Sequence, residues 1–256
     1  MKIKTIMINE NTVVKTDYPI RLRAEAEKTI RAFEIGKDSG LFRVPRVLDY
    51  DFSKGILVLE RLRNISRLAP VLCSGHEDRQ LIDTIAMSLA TIHEKMRLSA
   101  EMHVPLPAEL SFPGSDVVLH GDMAIKNIFL TTDRPGIAIL DWQMTMVHGG
   151  DATYGTRYFD VMWFVSNLFG LMCRLNHAPH LAKHAIPMAR LFIKSYCLAA
   201  NISEDCADVI SYMRQYFPYK IALSKQRCNL ANRLLNMPVY SHIKKFIEAP
   251  QLMQEL

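Results

Sequence analysis

The residues able to do chemistry gather in the middle of the chain. The apolar run Val118-Leu119 ends in His120-Gly121-Asp122, Asn127 follows, and the run Ile139-Leu140 ends in Asp141-Trp142. Transfer of a phosphoryl group needs such a set: one carboxylate orients the attacking hydroxyl and accepts its proton, while a second carboxylate and an amide oxygen hold Mg²⁺ against the phosphates. On that division Asp122 is the base, and Asn127 and Asp141 are the metal ligands. Each motif is weak by itself, since an aspartate closing a strand is usually a turn former. Their joint occurrence, downstream of a β-rich segment with a strand lysine and helix glutamates, is what points to this chemistry. His120 is expected to be structural, because Asp122 suits the base role better.

The elements that must position these residues are legible from patterning. Residues 2–8 and 12–16 are rich in β-branched side chains and flank Asn9-Glu10-Asn11, which predicts a hairpin with Lys15 near the end of its second strand. Leu22, Ala26, Ile30 and Phe33 recur at helical spacing, with Pro19 at the start and Gly36 as the stop. Residues 44–48 and 55–59 read as two more strands around a polar turn. The first lobe, 1–62, is thus a small antiparallel sheet carrying one helix. Residues 63–256 form a larger, mainly helical lobe, in which Leu81, Ile85, Leu89 and Ile92 trace one helix face. Three β-like pieces lie within it at 117–120, 127–130 and 137–140. Helices are expected near 158–174, 185–200, 204–216 and 219–236, with Ser203 capping the third. The fold class is α+β and two-lobed.

With these residues in place, the sequence resembles the aminoglycoside phosphotransferase and choline kinase-like superfamily, relatives of the protein kinases whose catalytic loop reads His-Gly-Asp-x-x-x-x-Asn. The resemblance covers about residues 10 to 165. Leu89-Ala90-Thr91-Ile92-His93 is similar to the family's Leu-x-x-x-His segment, Phe159-Asp160-Val161 to its later aspartate that braces the catalytic loop, and Lys126-Asn127-Ile128 to the Pro-Lys-Asn-Ile version found in bacterial small-molecule kinases. The resemblance implies ATP and Mg²⁺ as cofactors. It implies that Lys15 contacts the α and β phosphates and pairs with a glutamate of the first helix. Glu25 and Glu27 both flank the apolar face, and Glu27 is preferred because Ile30 and Phe33 then follow it as core residues. It also implies an adenine site between the lobes, bonded to backbone groups from Glu60 to Leu62 and sandwiched by Val13 and Phe129. One departure stands out. The family usually places a glycine-rich phosphate-covering loop before the lysine strand, whereas here no glycine precedes Gly36. Either that loop is absent and phosphates are held from below, or the chain is a shortened member with reduced nucleotide affinity.

Composition narrows the partners. At 256 residues and 49% hydrophobic content the chain can bury a sizeable core. No apolar run reaches the roughly 18 residues of a membrane-spanning helix, and Met1-Lys2-Ile3-Lys4 begins no signal peptide, so a cytoplasmic enzyme without a membrane span is expected. The five cysteines include no C-x-x-C pair and read as reduced thiols. The net charge of +5 comes from dispersed basic residues, so nucleic acid is not expected as a partner. From Val161 onward basic residues, among them Arg174, Lys220 and Arg227, far outnumber acidic ones. Since the family's acceptor sits against these helices, a neutral or anionic small-molecule acceptor is expected before a polycationic aminoglycoside. Lys220, Ser224 and Arg227 share one helix face that could line the cleft, and the glycine-rich stretch from His148 to Gly155 could be a mobile acceptor-site loop. The competing readings are a nucleotide-binding pseudokinase, for which the missing loop argues, and a protein kinase, against which stands the lack of an Asp-Phe-Gly or Ala-Pro-Glu segment after Asp141. Oligomeric state is left open.

Overall fold

The computed structural model describes residues 5–74, 79–133, 136–145, 150–174, 179–202, 206–227 and 229–248. Its first sheet is antiparallel, in the order β1 (Thr5–Ile8), β2 (Thr12–Thr16), β5 (Ile56–Glu60), β4 (Val47–Asp51). The polar Asn9–Asn11 turn closes the first hairpin with Ile8 opposite Val13, and Lys15 lies across from Leu57 of β5. One face of this sheet is closed by helix α1 (Pro19–Ser39), whose Leu22 and Ala26 pack with Leu57 and Leu59 in a small core.

Gly36, expected to stop this helix, lies inside it. A Cβ there would sit 2.5 Å from the carbonyl oxygen of Phe42, so the residue is a close-approach site. The stop is Gly40, whose φ of +69° lets its N–H cap back onto the Gly36 carbonyl. The buried face also differs from the apolar period: Ile30 is exposed, while Glu25, Lys28 and Thr29 are buried.

A second sheet runs β3 (Phe42–Arg43), β9 (Ile137–Ile139), β8 (Ile128–Thr131), β6 (Ile65–Arg67). The short β3 leaves the end of α1 and joins β9 in parallel, while β8 and β9 form the hairpin anticipated for residues 127–140, with Ile128 opposite Ile139. The piece expected at 117–120 is β7 (Asp116–Val118), which stands apart and pairs with β10 (Tyr154–Thr156).

Short helix α2 (Leu68–Leu72) and long helix α3 (Arg79–Lys95) precede these strands in the larger lobe, and Leu81, Ile85, Leu89 and Ile92 of α3 are all buried. Helices α4 (Tyr158–Met172) and α5 (Ala182–Ala199) pack with α3 around the main core. The next helix departs from expectation. α6 (Ala207–Arg227) runs unbroken through Pro218, so the two helices read at 204–216 and 219–236 are one helix followed by α7 (Leu230–Leu235) and α8 (Met237–Glu248). The proposed Ser203 cap lies outside the described residues. No helix among the described residues is long and apolar enough to cross a membrane. Of the cysteines, Cys173, Cys197 and Cys206 are buried free thiols, Cys73 is half-buried, and Cys228 lies outside the described residues.

Candidate active site

The catalytic-loop segment follows β7, where the chain turns through Gly121 at a φ of +90°. A Cβ at that position would approach the Met144 Cα to 2.9 Å, which explains why glycine separates His120 from Asp122. The turn is held by Asp160 near the start of α4: its two carboxylate oxygens accept the backbone N–H groups of His120 at 2.7 Å and Gly121 at 2.9 Å. His93 of α3 approaches the same carboxylate at 3.1 Å through Nε2, while its Nδ1 meets the Tyr196 hydroxyl at 2.7 Å. Burial favours neutral Asp160, yet the hydrogen bonds and neighbouring imidazoles outweigh it and hold its carboxyl below the usual range. His93 and His120 are fully enclosed. Burial lowers both imidazole pKa values, that of His120 to about 4, in keeping with a structural His120.

Asp122 is 4% exposed, and each carboxylate oxygen has its own partner. Oδ1 accepts the Trp163 indole N–H at 2.7 Å. Oδ2 accepts the Asn127 amide at 2.9 Å and also meets the Lys126 ammonium at 2.9 Å. The Asn127 amide nitrogen bonds the Asp122 backbone oxygen as well, which commits that nitrogen to the loop and turns the amide's acceptor oxygen to other use. Asp141, just past β9, adopts φ +60°, a left-handed conformation that costs a non-glycine residue about 1 kcal/mol or more and marks functional turns. Its Oδ1 accepts from Lys15 Nζ at 2.7 Å.

Lys15 is buried between two carboxylates, Asp141 and Glu25. Burial works against its charge, but the attraction of Glu25 and Asp141 prevails and raises its pKa above the ordinary lysine value. Its helix partner is therefore Glu25, and the preference for Glu27 is corrected. Glu27 lies with Arg23 and Arg31 around a separate surface groove. The physical reason is that α1 buries the stripe containing Glu25, Lys28 and Thr29, a stripe that a count of apolar residues alone assigns to solvent.

Lys15, Asn127 and Asp141 open onto one cleft of about 630 Å³ between the sheets, which Val13, Leu59 and Phe129 also line. Glu60 and Leu62 form its edge. Along that edge the Glu60 N–H is bound to the Arg46 carbonyl and the Arg61 N–H to that of Asn11, each at 2.9 Å, whereas the Leu62 N–H has no partner among the described residues. The expected site residues Lys15, Glu60, Leu62, Asn127, Phe129 and Asp141 thus meet in one place, with Asp122 bonded directly to Asn127. Glu27 does not join them. The expectation of a curtailed phosphate-covering loop concerns the residues ahead of Thr12: residues 1–4 lie outside the described ones, Thr5–Ile8 form β1, and the glycine-free Asn9–Asn11 turn is tied to Arg61 and Arg63.

A second cavity, about 920 Å³, has Trp163, Lys126, Lys220 and Arg174 in its wall; Asp122 lines neither cavity, but its partners Trp163 and Lys126 both face this one. Lys126 and Phe129 face both cavities. Of the three residues expected on one helix face, Lys220 lines this cavity, Ser224 instead meets the Tyr240 hydroxyl at 2.6 Å, and the Arg227 side chain lies outside the described residues. The glycine-rich loop expectation falls partly on residues 146–149, also outside them, while Asp151 pairs with Arg21 of α1.

Two residues of this site escaped the sequence reading. Trp163, which holds Asp122, sits one helical turn beyond Asp160 in an apolar run, and that i,i+3 spacing was the available signal. Lys28 of α1, fully buried, donates to the carbonyls of Leu119 at 3.1 Å and His120 at 2.9 Å, and nothing in the sequence distinguishes it from a solvated helix lysine.

Mg²⁺ takes oxygen ligands and is usually held by one or two carboxylates together with substrate phosphates. The Asp141 carboxylate and the acceptor oxygen of Asn127 fit that requirement. Among the described residues no group of three His, Cys, Asp or Glu side chains forms an all-protein metal cage.

Residues 96–171, which contain this loop, match the model of APH, the phosphotransferase enzyme family. No curated protein matches the chain. Among solved structures, a choline/ethanolamine kinase family protein from Mesorhizobium loti aligns at a TM-score of 0.58 with 12% identity, covering 96% of this chain and 86% of that one. A glucosamine kinase aligns at 0.58 with 16% identity, over 93% of this chain and 75% of that one. The same enzyme in complex with glucosamine, ADP and inorganic phosphate aligns at 0.54 with 15% identity, over 96% and 79%. The resemblance read from the motifs is thereby borne out: the chain has the two-lobed, protein-kinase-like fold of a choline/ethanolamine kinase family protein and a glucosamine kinase, and residues 96–171 match the phosphotransferase enzyme family model.

Proposed function

We propose that this chain transfers the γ-phosphoryl group of ATP to a hydroxyl of a small molecule, with ATP in the cleft between the sheets and the acceptor in the second cavity. The observation that carries this reading is the placement of Asp122. One of its oxygens is bonded to Asn127, which lines the cleft between the sheets, and the other to Trp163, which lines the second cavity. A carboxylate so held has a fixed direction and can accept the proton as the acceptor oxygen attacks phosphorus. The bond formed joins the acceptor oxygen to the γ-phosphorus, the bond from that phosphorus to the β-phosphate oxygen breaks, and ADP leaves with the electron pair.

Lys15, fixed by Glu25 and Asp141, sets a positive charge where the α and β phosphates would lie. The Leu62 N–H is the group left to bond the adenine edge, with Val13 and Phe129 on its two faces. Asn127 and Asp141 would hold Mg²⁺, which when bound neutralises charge on the phosphates. We retain the division of the lobes near residue 62, where β5 gives way to the connection that edges the cleft. The choline/ethanolamine kinase family protein and the glucosamine kinase support the coarse reading, a kinase acting on a small hydroxyl compound.

The test is ATP turnover by purified protein with a panel of hydroxyl acceptors. Asp122→Ala is expected to lower kcat by about 10²-fold or more, the usual worth of a positioned base. Asp141→Ala should abolish Mg²⁺-dependent turnover. Full activity in both variants would refute the proposal.

A further inference from the structure

The second cavity has a charge pattern that bears on its acceptor. Its wall includes Arg67, Lys126, Arg174 and Lys220, and among the described residues no aspartate or glutamate lines it. Lys126 is paired with Asp122. Arg67, Arg174 and Lys220 have no carboxylate partner among the described residues. The Arg174 Nε is buried without a hydrogen-bond partner. Lys220 Nζ stands 3.4 Å from the centre of the Trp163 ring, directly over its face. Burial lowers the Lys220 pKa to about 7, with Asp122 acting the other way, so this ammonium lacks a sufficient counter-charge. Cations gathered in a concave, partly desolvated wall are costly unless something anionic completes them.

The same geometry disfavours cationic acceptors. A quaternary or primary ammonium is commonly recognised by an aromatic face, and of the two aromatic rings in this wall, Trp163 and Phe129, the larger indole is already covered by Lys220. A cation entering the cavity would also meet Arg67 and Arg174 with no carboxylate to offset them.

We infer that the acceptor is a hydroxyl compound bearing an anionic group, a phosphate monoester or a carboxylate, which Arg174 and Lys220 bind while its hydroxyl is presented to Asp122. This rests on the transferase reading above. The arrangement links anion and base through one side chain, because the indole whose face lies under Lys220 donates its N–H to Asp122. Asn167 on the same wall supplies a neutral amide for a further oxygen of the ligand.

The experiment has two arms on the full chain. In the first, with Mg²⁺ and ADP present to fill the nucleotide cleft, Trp emission is followed during titration with orthophosphate, glucuronate, glucosamine and choline. Saturable binding of at least one anion is expected, weakened about tenfold or more in Arg174→Gln and Lys220→Met, as loss of a charge-assisted hydrogen bond implies. In the second, glucose, glucose 6-phosphate and glucuronate are compared as acceptors, which separates the phosphate from the carboxylate. Preference for either anion over glucose by about tenfold in kcat/KM is expected. The inference is overturned if neither anion binds, if glucosamine or choline binds in their place, or if both variants bind the anion as tightly as the wild type. Should a variant fail to fold, the wild-type contrast between anions and cations decides alone. Anion binding without ATP turnover sinks the transferase reading and leaves the anion site standing, whereas turnover on cationic acceptors alone does the reverse.

Discussion

Glu25 and Glu27 lie on the same helix, yet only Glu25 reaches Lys15, and the difference is measurable. Glu25→Gln leaves the buried ammonium with Asp141 as its one remaining carboxylate partner. A hydrogen bond to a charged group is worth about 1.5–3 kcal/mol, so ATP turnover should fall about tenfold or more. Glu27 is partly exposed, and Glu27→Gln should leave turnover within about twofold. Equal losses in the two variants would contradict the pairing. At this scale the grouping of Asp122, Asn127 and Asp141 was legible from their types and order: Asp122 is bonded to Asn127, and Asn127 and Asp141 line one cleft. Which glutamate serves Lys15 was not, because an apolar period ranks positions by hydrophobicity. A buried carboxylate paired with a buried lysine looks, in sequence, like two solvated charges. Lys220 was singled out only with Ser224 and Arg227, and the trio does not act as one surface.

Helix α1 is the element that joins the two halves of the site. Glu25 holds Lys15 at the cleft between the sheets, and a turn further on Lys28 bonds the carbonyls of Leu119 and His120 at the head of the His120-Gly121-Asp122 segment. Moving this helix would therefore move both ends of the proposed site together. Burial lowers the Lys28 pKa to about 8, against the pull of Asp160 and Glu25, whereas in the unfolded chain the group titrates near 10.5. Between those values the unfolded state holds a proton that the folded state has released, so this lysine makes stability rise as pH climbs from about 8 toward 10.5. Lys28→Met should remove that contribution, and at pH 7.5 it should lower kcat by freeing the Leu119 and His120 carbonyls. Urea unfolding from pH 8 to 10 compares the slopes, and parallel curves for wild type and variant would count against the assignment. Length and type of this helix were readable from its period and from Pro19. Its end was misplaced because Gly36 is required by the approach of Phe42, a tertiary contact, and only Gly40 carries the left-handed turn. Likewise Pro218 sits within α6, although a proline usually marks a boundary.

For the whole molecule the unit of cohesion is the cluster around Asp160, where α3, α4, α5 and the catalytic loop meet through His93, Tyr196 and the His120-Gly121 backbone. The sequence foretold two lobes and the strands of the central hairpin. It gave no sign that β3 would cross from α1 to pair in parallel with β9, since two residues carry no period. Nor did it show that His93 and His120 are enclosed together, although their burial governs acid stability. In the unfolded chain both imidazoles take up protons near pH 6.5, whereas in the folded protein burial keeps His120 neutral down to about 4 and lowers His93 as well. Unfolding between pH 6.5 and 4 therefore takes up protons, and stability must fall as pH falls through that window. Asp160 adds to the loss at lower pH, because its folded pKa lies below its unfolded value. Chemical unfolding at pH 7 and pH 5 should show a clear drop in stability at the lower pH. His93→Gln should make the drop smaller, since the neutral amide takes up no proton in either state. The variant will also start lower at pH 7, having lost its hydrogen bonds to Asp160 and Tyr196, so the informative quantity is the difference between the two pH values. Equal stability of the wild type at pH 7 and 5, or an undiminished drop in the variant, would show that the enclosed imidazoles do not set the acid limit of this fold.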